Sequence, residues 1–445
     1  MGTCSNQIAL LLLHVISPSF AYEIKEATVN QIQEAFNARS SHQETLSCSI
    51  SEKLTRSTCF YADRADKERE ATHGECAKGL HGIPVLLNGN IATRDQLNTT
   101  AGSLALLGSI RRLRRAGFIV LGKESLSEWA HFRTFKAPNG TKLSFLQNPY
   151  VLSADPCGSS SGSAVGVATN LATVTLGTET DGSIICPSTA NAVVRIKPTV
   201  GLTSRAGVIP VSPRQDNIRP ICRTVSDAVY VLDEIVGFDR RDRKANRTAL
   251  KFIPAGGYKR FLKANGFKGK RLGFVNFSIS PRDRQHGAVL LDNIEIPHID
   301  LALVYEFKKA LNAYLSELVT SPVSSLADVI TFNQLHSKET DIMKAKLAVS
   351  NLAELSRNGI EKVMKEKKVD AILAPANTPV YTILAIGGYP GITVPAGYDE
   401  KGVPFGICFG GLSGSEPKLI EIAYSFEQAT QIRPPHPPSP PHFKF

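Results

Sequence analysis

Apolar residues recur at helical spacing in seven stretches of the chain. Glu26 to Phe36 places Val29, Ile32, Ala35 and Phe36 on one face, and Leu104 to Ala116 sets an apolar face against Arg111, Arg112, Arg114 and Arg115. Val225 to Val236 is the clearest of the seven, with Thr224 as N-cap, Gly237 as C-cap and Val225, Ala228, Val229, Leu232, Ile235 and Val236 on one side. The same period returns in Ala302 to Leu318, Leu326 to Phe332, Ile342 to Met364 and Leu419 to Gln428. Short apolar runs bounded by turn residues predict strands at Gly82 to Leu87, Phe118 to Leu121, Arg271 to Val275, Ala371 to Ala374 and Val403 to Phe409. Ser125 to Trp129 reads as the opening of a further helix. Residues 156 to 188 break this rhythm: two Gly- and Ser-rich loops, Pro156 to Ser163 and Gly177 to Ser183, flank an apolar run that reads as a short helix followed by a strand.

With 42% apolar residues among 445, the chain can bury a large core in one large or two modest domains. The net charge is +11, but the basic residues are scattered apart from Arg240 to Arg247 and Lys259 to Arg271, and no aromatic-interleaved basic stripe points to nucleic acid. Eight cysteines lie along the whole length without a Cys-x-x-Cys pair or a His-x-x-x-His cluster, so neither a disulfide framework nor a metal site is expected. Cys157 and Cys186 flank the two small-residue loops, with no histidine at an offset that would make either a nucleophile. Ile8 to Ile16 followed by Ser17-Pro-Ser-Phe-Ala21 has the form of a signal-peptide core and cleavage site, too short to cross a membrane, although no Lys or Arg precedes it. This makes 1–21 a candidate signal peptide and the secretory route or the extracellular space the expected location, with cytoplasm or organelle as the alternative. Sequons occur at Asn98, Asn139, Asn246 and Asn276, and residues 433–445 form a Pro-rich tail.

Glycine loops let backbone N–H groups converge on one point, and hydroxyls beside such donors are where a nucleophile is expected. Taken alone, a Gly/Ser run is more often a plain loop or a phosphate cradle, and a P-loop is excluded because no Gly-Lys-Ser/Thr ending follows. Gly158-x-Ser160-x-Gly162 is formally a nucleophile elbow, which would make Ser160 the nucleophile of an α/β-hydrolase. Val151 to Pro156 is a poor strand to precede it, and His298 and His336 have no recognisable partner loop.

The blocks Pro156-Cys-Gly-Ser-Ser-Ser-Gly-Ser163 and Gly177-Thr-Glu-Thr-Asp-Gly-Ser-Ile184, with Pro187 after them, resemble the signature of the amidase signature family, and are similar above all to its plant-type members. The likeness runs from about Tyr22 to Arg433 and includes Ile196 to Gly201, Ser204 to Pro210 and Gly387 to Pro395. It implies one large α/β amidase domain over 22–432, a mixed β-sheet covered by helices on both sides, acting on carbon–nitrogen bonds of small-molecule amides with no metal or cofactor. It implies Ser183 as nucleophile, Ser159 on a cis peptide bond as proton relay, and the N–H groups of Thr180, Asp181, Gly182 and Ser183 as oxyanion hole. The family's lysine belongs after Leu87, where this chain has Asn88.

An amide has no basic lone pair near pH 7, so Asn88 cannot take the relayed proton. Two readings follow: an amide hydrolase with impaired Ser-cisSer-Lys chemistry, or a catalytically inactive descendant, either a binding or regulatory protein or a decayed copy. Other departures favour the second: register is lost over 39–60, segments are shortened, and arginines 195 and 219 stand where glycines are expected. Lys123 and Lys197 lie in flanking blocks as substitute bases, with nothing in the sequence to place either amine at Ser159. Substrate identity and oligomeric state are not encoded in these motifs.

Overall fold

The computed structural model describes residues 26–38, 80, 82–93, 99–103, 106, 119–132, 140–141, 144–275, 289–291, 300–318, 321–335 and 356–433. The candidate signal peptide, residues 39–60, the basic helix at 104–116, three of the four sequons and residues 434–445 lie outside them. The strands are β1 Pro84–Asn88, β2 Ile119–Glu124, β3 Gly140–Thr141, β4 Ser144–Phe145, β5 Val174–Glu179 and β6 Val194–Lys197, then β7 Asn217–Cys222, β8 Leu272–Val275, β9 Val289–Leu291, β10 Ala371–Pro375, β11 Gly391–Tyr398 and β12 Pro404–Gly410. The α-helices are α1 Val29–Ala38, α2 Ser161–Ala168, α3 Ile185–Ala190, α4 Val225–Ile235 and α5 Arg243–Ala249, then α6 Asp300–Ser316, α7 Leu326–Leu335, α8 Lys362–Glu366, α9 Val380–Ile386 and α10 Glu416–Thr430.

Ten strands form one mixed sheet in the order β2-β1-β5-β7-β6-β11-β12-β10-β8-β9. Pairing is parallel at both ends, β2-β1-β5 and β10-β8-β9, and antiparallel through the middle. Side-chain alternation along the strands divides the core between two faces. Val194 and Ile196 of β6, Ile392 and Val394 of β11, and Phe409 of β12 join α4 and α10 in one apolar cluster. Ile372 of β10 and Cys408 of β12 point the other way, toward Ile185 of α3 and Val380, Ile383 and Leu384 of α9, while Ile221 of β7 packs on Ala164 and Val167 of α2. The expected single α/β domain with helices on both sides of a mixed sheet is therefore what the chain forms.

Local signals place most boundaries. Thr224 caps α4 by accepting the Asp227 N–H through its side chain, and Gly237 follows at φ 147°. The helix expected to open at Ser125 is instead a single 3-10 turn, Glu128–His131, with Trp129 and Ala130 at positive φ. The Trp129 N–H donates to Ala101 O and its ring is buried against Phe307, so tertiary contacts override the helical pattern. No described helix is long and apolar enough to cross a membrane.

Candidate active site

Strand β1 runs through the buried sheet and ends at Asn88, which is wholly enclosed. Its Nδ2 donates to Ser160 Oγ at 2.7 Å, and that hydroxyl donates in turn to Thr178 O at 2.8 Å. The Gly158–Ser159 peptide bond is cis, as the family resemblance implies. Ser159 is buried; its carbonyl accepts from Ser127 N, while its Oγ has no hydrogen-bond partner among the described residues, and neither has Asn88 Oδ1. Asn88 therefore stands beside the serine loop, bonded to Ser160 rather than Ser159.

Ser183 follows β5 on the second loop, 8% exposed, and the two loops meet where Ser160 N donates to Ser183 O at 3.0 Å. A small cavity beside Ser183 is lined by Asn90, Thr178, Thr180, Asp216 and Ile209, among others. The proposed oxyanion turn is braced from three sides. Thr180 Oγ1 donates to Asp216 Oδ1 at 2.6 Å, and Asp216 is fixed by the N–H groups of Val211 and Ser212. Burial pushes the Asp216 carboxyl up to about 6 against these donors. Asp181 accepts from Thr382 Oγ1 at 3.2 Å. Gly182 has φ 74°, and a Cβ there would lie 3.0 Å from the Tyr381 ring, so both the conformation and the packing require glycine.

Beneath α3 lies a cluster of charges. Residues 195 and 197 of β6 alternate with Val194 and Ile196 and so face α3, as do Glu179 of β5 and Arg219 of β7. Arg195, Lys197 and Arg219 are completely buried. Glu179 Oε2 accepts from Ile184 N at 2.8 Å and Ile185 N at 3.1 Å, and Oε1 lies 2.5 Å from Arg219 Nη1. Burial works to raise the Glu179 carboxyl, but Arg219, Arg195 and Lys197 together hold it at about 2. Burial, with Arg219 beside it, takes the Lys197 amine well below its ordinary value. None of the Arg219 guanidinium nitrogens makes an aligned hydrogen bond within the described residues, whereas Arg195 Nε donates to Thr393 Oγ1 at 3.0 Å.

The sequence-predicted residues Asn88, Ser159 and Ser183 come together with the turn Thr180 to Ser183. Neither lysine is hydrogen-bonded to Ser159 Oγ: Lys123 Nζ donates to Ile91 O and Lys197 Nζ to Tyr389 O. Ser160 is buried, preceded by loop rather than strand, and its Oγ is consumed by Asn88 and Thr178, so the elbow reading fails. The expectation of no disulfide is also corrected, since Cys157 and Cys186 are bonded to each other. Their 29-residue separation carries no sequence signal; it is the meeting of the loops that brings the sulfurs together. The sequon at Asn246 is buried, its Nδ2 donating to Gly201 O, so this amide is not open to glycosylation. Asp216, Tyr381 and Thr382 escaped the sequence reading because their role arises only when distant segments pack on the turn.

Comparison with known proteins adds an independent line. The Amidase family profile matches residues 31–284. A relative named "Probable amidase" in Arabidopsis thaliana is 50% identical over 94% of this chain and 92% of its own. Among solved structures, an amidase family protein from Bacillus anthracis superposes with a TM-score of 0.82 at 28% identity, over 98% of this chain and 95% of its own. The native peptide amidase from Stenotrophomonas maltophilia superposes with a TM-score of 0.75 at 35% identity, over 98% of both chains. Together with the cis bond, the two serine loops and the mixed sheet, these matches establish that the chain belongs to the amidase family, whose members hydrolyse carbon–nitrogen bonds.

Proposed function

We propose that this chain is an amide-hydrolase scaffold with impaired turnover, binding a small amide beside Ser183 but lacking the base of the Ser-cisSer-Lys mechanism. In that mechanism Ser183 Oγ attacks the carbonyl carbon and passes its proton to Ser159 Oγ, which passes its own to a neutral amine. The N–H groups from Thr180 to Ser183 hold the oxyanion, and the C–N bond breaks when a proton returns to the departing nitrogen. Asn88 has no lone pair able to accept that proton near neutral pH. The observation carrying this reading is that Ser159 Oγ has no described hydrogen-bond partner while the neighbouring amide of Asn88 is spent on Ser160.

Losing a general base typically costs ~10²–10⁴ in rate. Purified protein assayed on primary and aryl amides is therefore expected to be slow or silent, with Asn88→Lys raising kcat by about 10²–10⁴ and Ser183→Ala abolishing what Asn88→Lys restores. Brisk hydrolysis by the unmodified chain that Ser183→Ala removes would show that another base serves Ser159. A folded Asn88→Lys protein that stays inert would favour a purely binding or regulatory descendant.

A further inference from the structure

The sulfurs of Cys157 and Cys186 are bonded, with their Cα atoms 5.7 Å apart. Cys157 stands two residues before Ser159 and Cys186 three residues after Ser183, so this bond is a covalent link between the segments that present the two serines. The other ties between the segments are hydrogen bonds and the packing of Ile184 against Ala164, Val167 and Ala168. Ser160 N donates to Ser183 O, and Asn191 Nδ2 donates to both Pro156 O at 2.8 Å and Pro187 O at 2.7 Å. These remain when the sulfurs part, so reduction would loosen the site without dismantling the sheet beneath it. Both bonded cysteines are only partly buried. The two free cysteines among the described residues, Cys222 and Cys408, are fully enclosed, and burial pushes both thiols up. Neither offers an accessible thiolate for exchange, so among the described residues no internal thiol is placed to reduce the bond.

We propose that the Cys157–Cys186 bond is a reversible modification site for a dithiol reductant, whose state sets how rigidly the Ser159 and Ser183 segments are held together. One thiolate of the dithiol attacks a sulfur of the pair, breaking the S–S bond and forming a mixed disulfide. The second thiolate displaces the protein sulfur. Two electrons and two protons pass to Cys157 and Cys186, which become thiols, and the reductant leaves as its own disulfide. This site stands whether or not Asn88 permits turnover, because its state is read from the backbone and the thiols.

The native full-length protein is titrated with dithiothreitol while site-resolved alkylation and peptide-level hydrogen exchange are followed by mass spectrometry. Before reduction, Cys157 and Cys186 are expected in one cross-linked peptide, resistant to alkylation. After reduction both should alkylate while Cys222 and Cys408 stay protected. Amides of residues 158–163 and 181–186 should exchange about tenfold faster, with the sheet strands unchanged and reoxidation restoring the original rates. The variant Cys186→Ser should exchange fast from the start and ignore dithiothreitol. If that variant does not fold, the titration of the unmodified protein decides alone. Alkylation of both cysteines without reductant would overturn the proposal. So would reduction that leaves exchange in the two segments unchanged, or reduction that occurs only with global unfolding.

Discussion

The serine loops and the charge cluster under α3 occupy neighbouring parts of the same sheet face, yet they are built on opposite terms. At the loops, Asn88, Ser159, Ser160, Thr178 and Ser183 are neutral, and the turn is held by directed hydrogen bonds and by a glycine under Tyr381. Under α3, Arg195, Lys197 and Arg219 surround Glu179, and none of the Arg219 guanidinium nitrogens has an aligned acceptor among the described residues. Short-range neutral bonds fix geometry without needing any one chemical group to be reactive. Such a site can therefore keep its shape whatever stands at position 88. A buried excess of positive charge does the reverse, because every added cation acts on all the others at low dielectric.

Asn88→Lys probes the first region through rate, and Arg219→Met probes the second through stability. Replacing a buried ion pair by apolar groups of similar volume is often neutral or stabilising by about 1–4 kcal/mol, whereas stranding a buried partner costs about 3–5 kcal/mol. Glu179 would not be stranded, since Ile184 N, Ile185 N, Arg195 and Lys197 remain around it. Arg219→Met is accordingly expected to raise the denaturant midpoint, by about 1–3 kcal/mol of unfolding free energy. A loss of about 3 kcal/mol or more would show that Arg219 is the necessary counter-ion of Glu179, and that the two regions are built alike after all.

The turn between these regions gives a smaller effect. Gly182→Ala must hold φ near 74° and push a Cβ against Tyr381. The left-handed region costs a non-glycine residue about 1–2 kcal/mol, so in a chain of this length thermal unfolding should move down by about 1–2 °C. The companion substitution Gly256→Ala shares a positive φ but meets nothing within 4 Å. It isolates the conformational part. Equal losses in the two variants would mean that Tyr381 does not press on the turn.

Much of this was legible in the chain itself. The cap at Thr224, the strand at Ala371 and the helix–strand pair between the loops follow from local periodicity and from blocks of glycine and serine, while the convergence of Asn88, Ser159 and Ser183 is what the family resemblance implies. What the chain did not disclose depends on contacts between segments far apart. Cys157 and Cys186 show no spacing code, and Trp129 adopts positive φ because Ala101 and Phe307 hold it. Asp216 and Thr382 become parts of the turn only when 33 or more residues of chain have folded back upon it, a distance at which sequence pattern carries no geometry. The arginines at 195 and 219 were visible as departures, but their meeting at one carboxylate needed the antiparallel pairing of β5, β7 and β6.

The subtlest difference between the neutral and charged regions is protonation, and Glu124 tests it. This residue ends β2, is buried, and accepts from Ser163 Oγ of α2. Burial pushes its carboxyl up to about 8, the Ser163 bond and Lys123 only partly opposing. At neutral pH it is thus mostly uncharged and belongs with the loops. Unfolded, the same group titrates near 4.5. Between these values the folded state holds a proton that the unfolded chain has lost, so unfolding free energy falls as pH rises from about 4.5 to about 8 and levels off above. The slope from one such group is at most about 1.4 kcal/mol per pH unit. Glu124→Gln keeps the shape and removes the titration, while Asp216, Asp227 and Glu179 titrate equally in both proteins. Near pH 5 the variant should match the unmodified chain within about 0.5 kcal/mol, then pull ahead of it progressively toward pH 8. Parallel stability curves across that range would mean that Glu124 is ionised in the fold, and that the boundary between neutral loops and buried charge lies on the near side of α2.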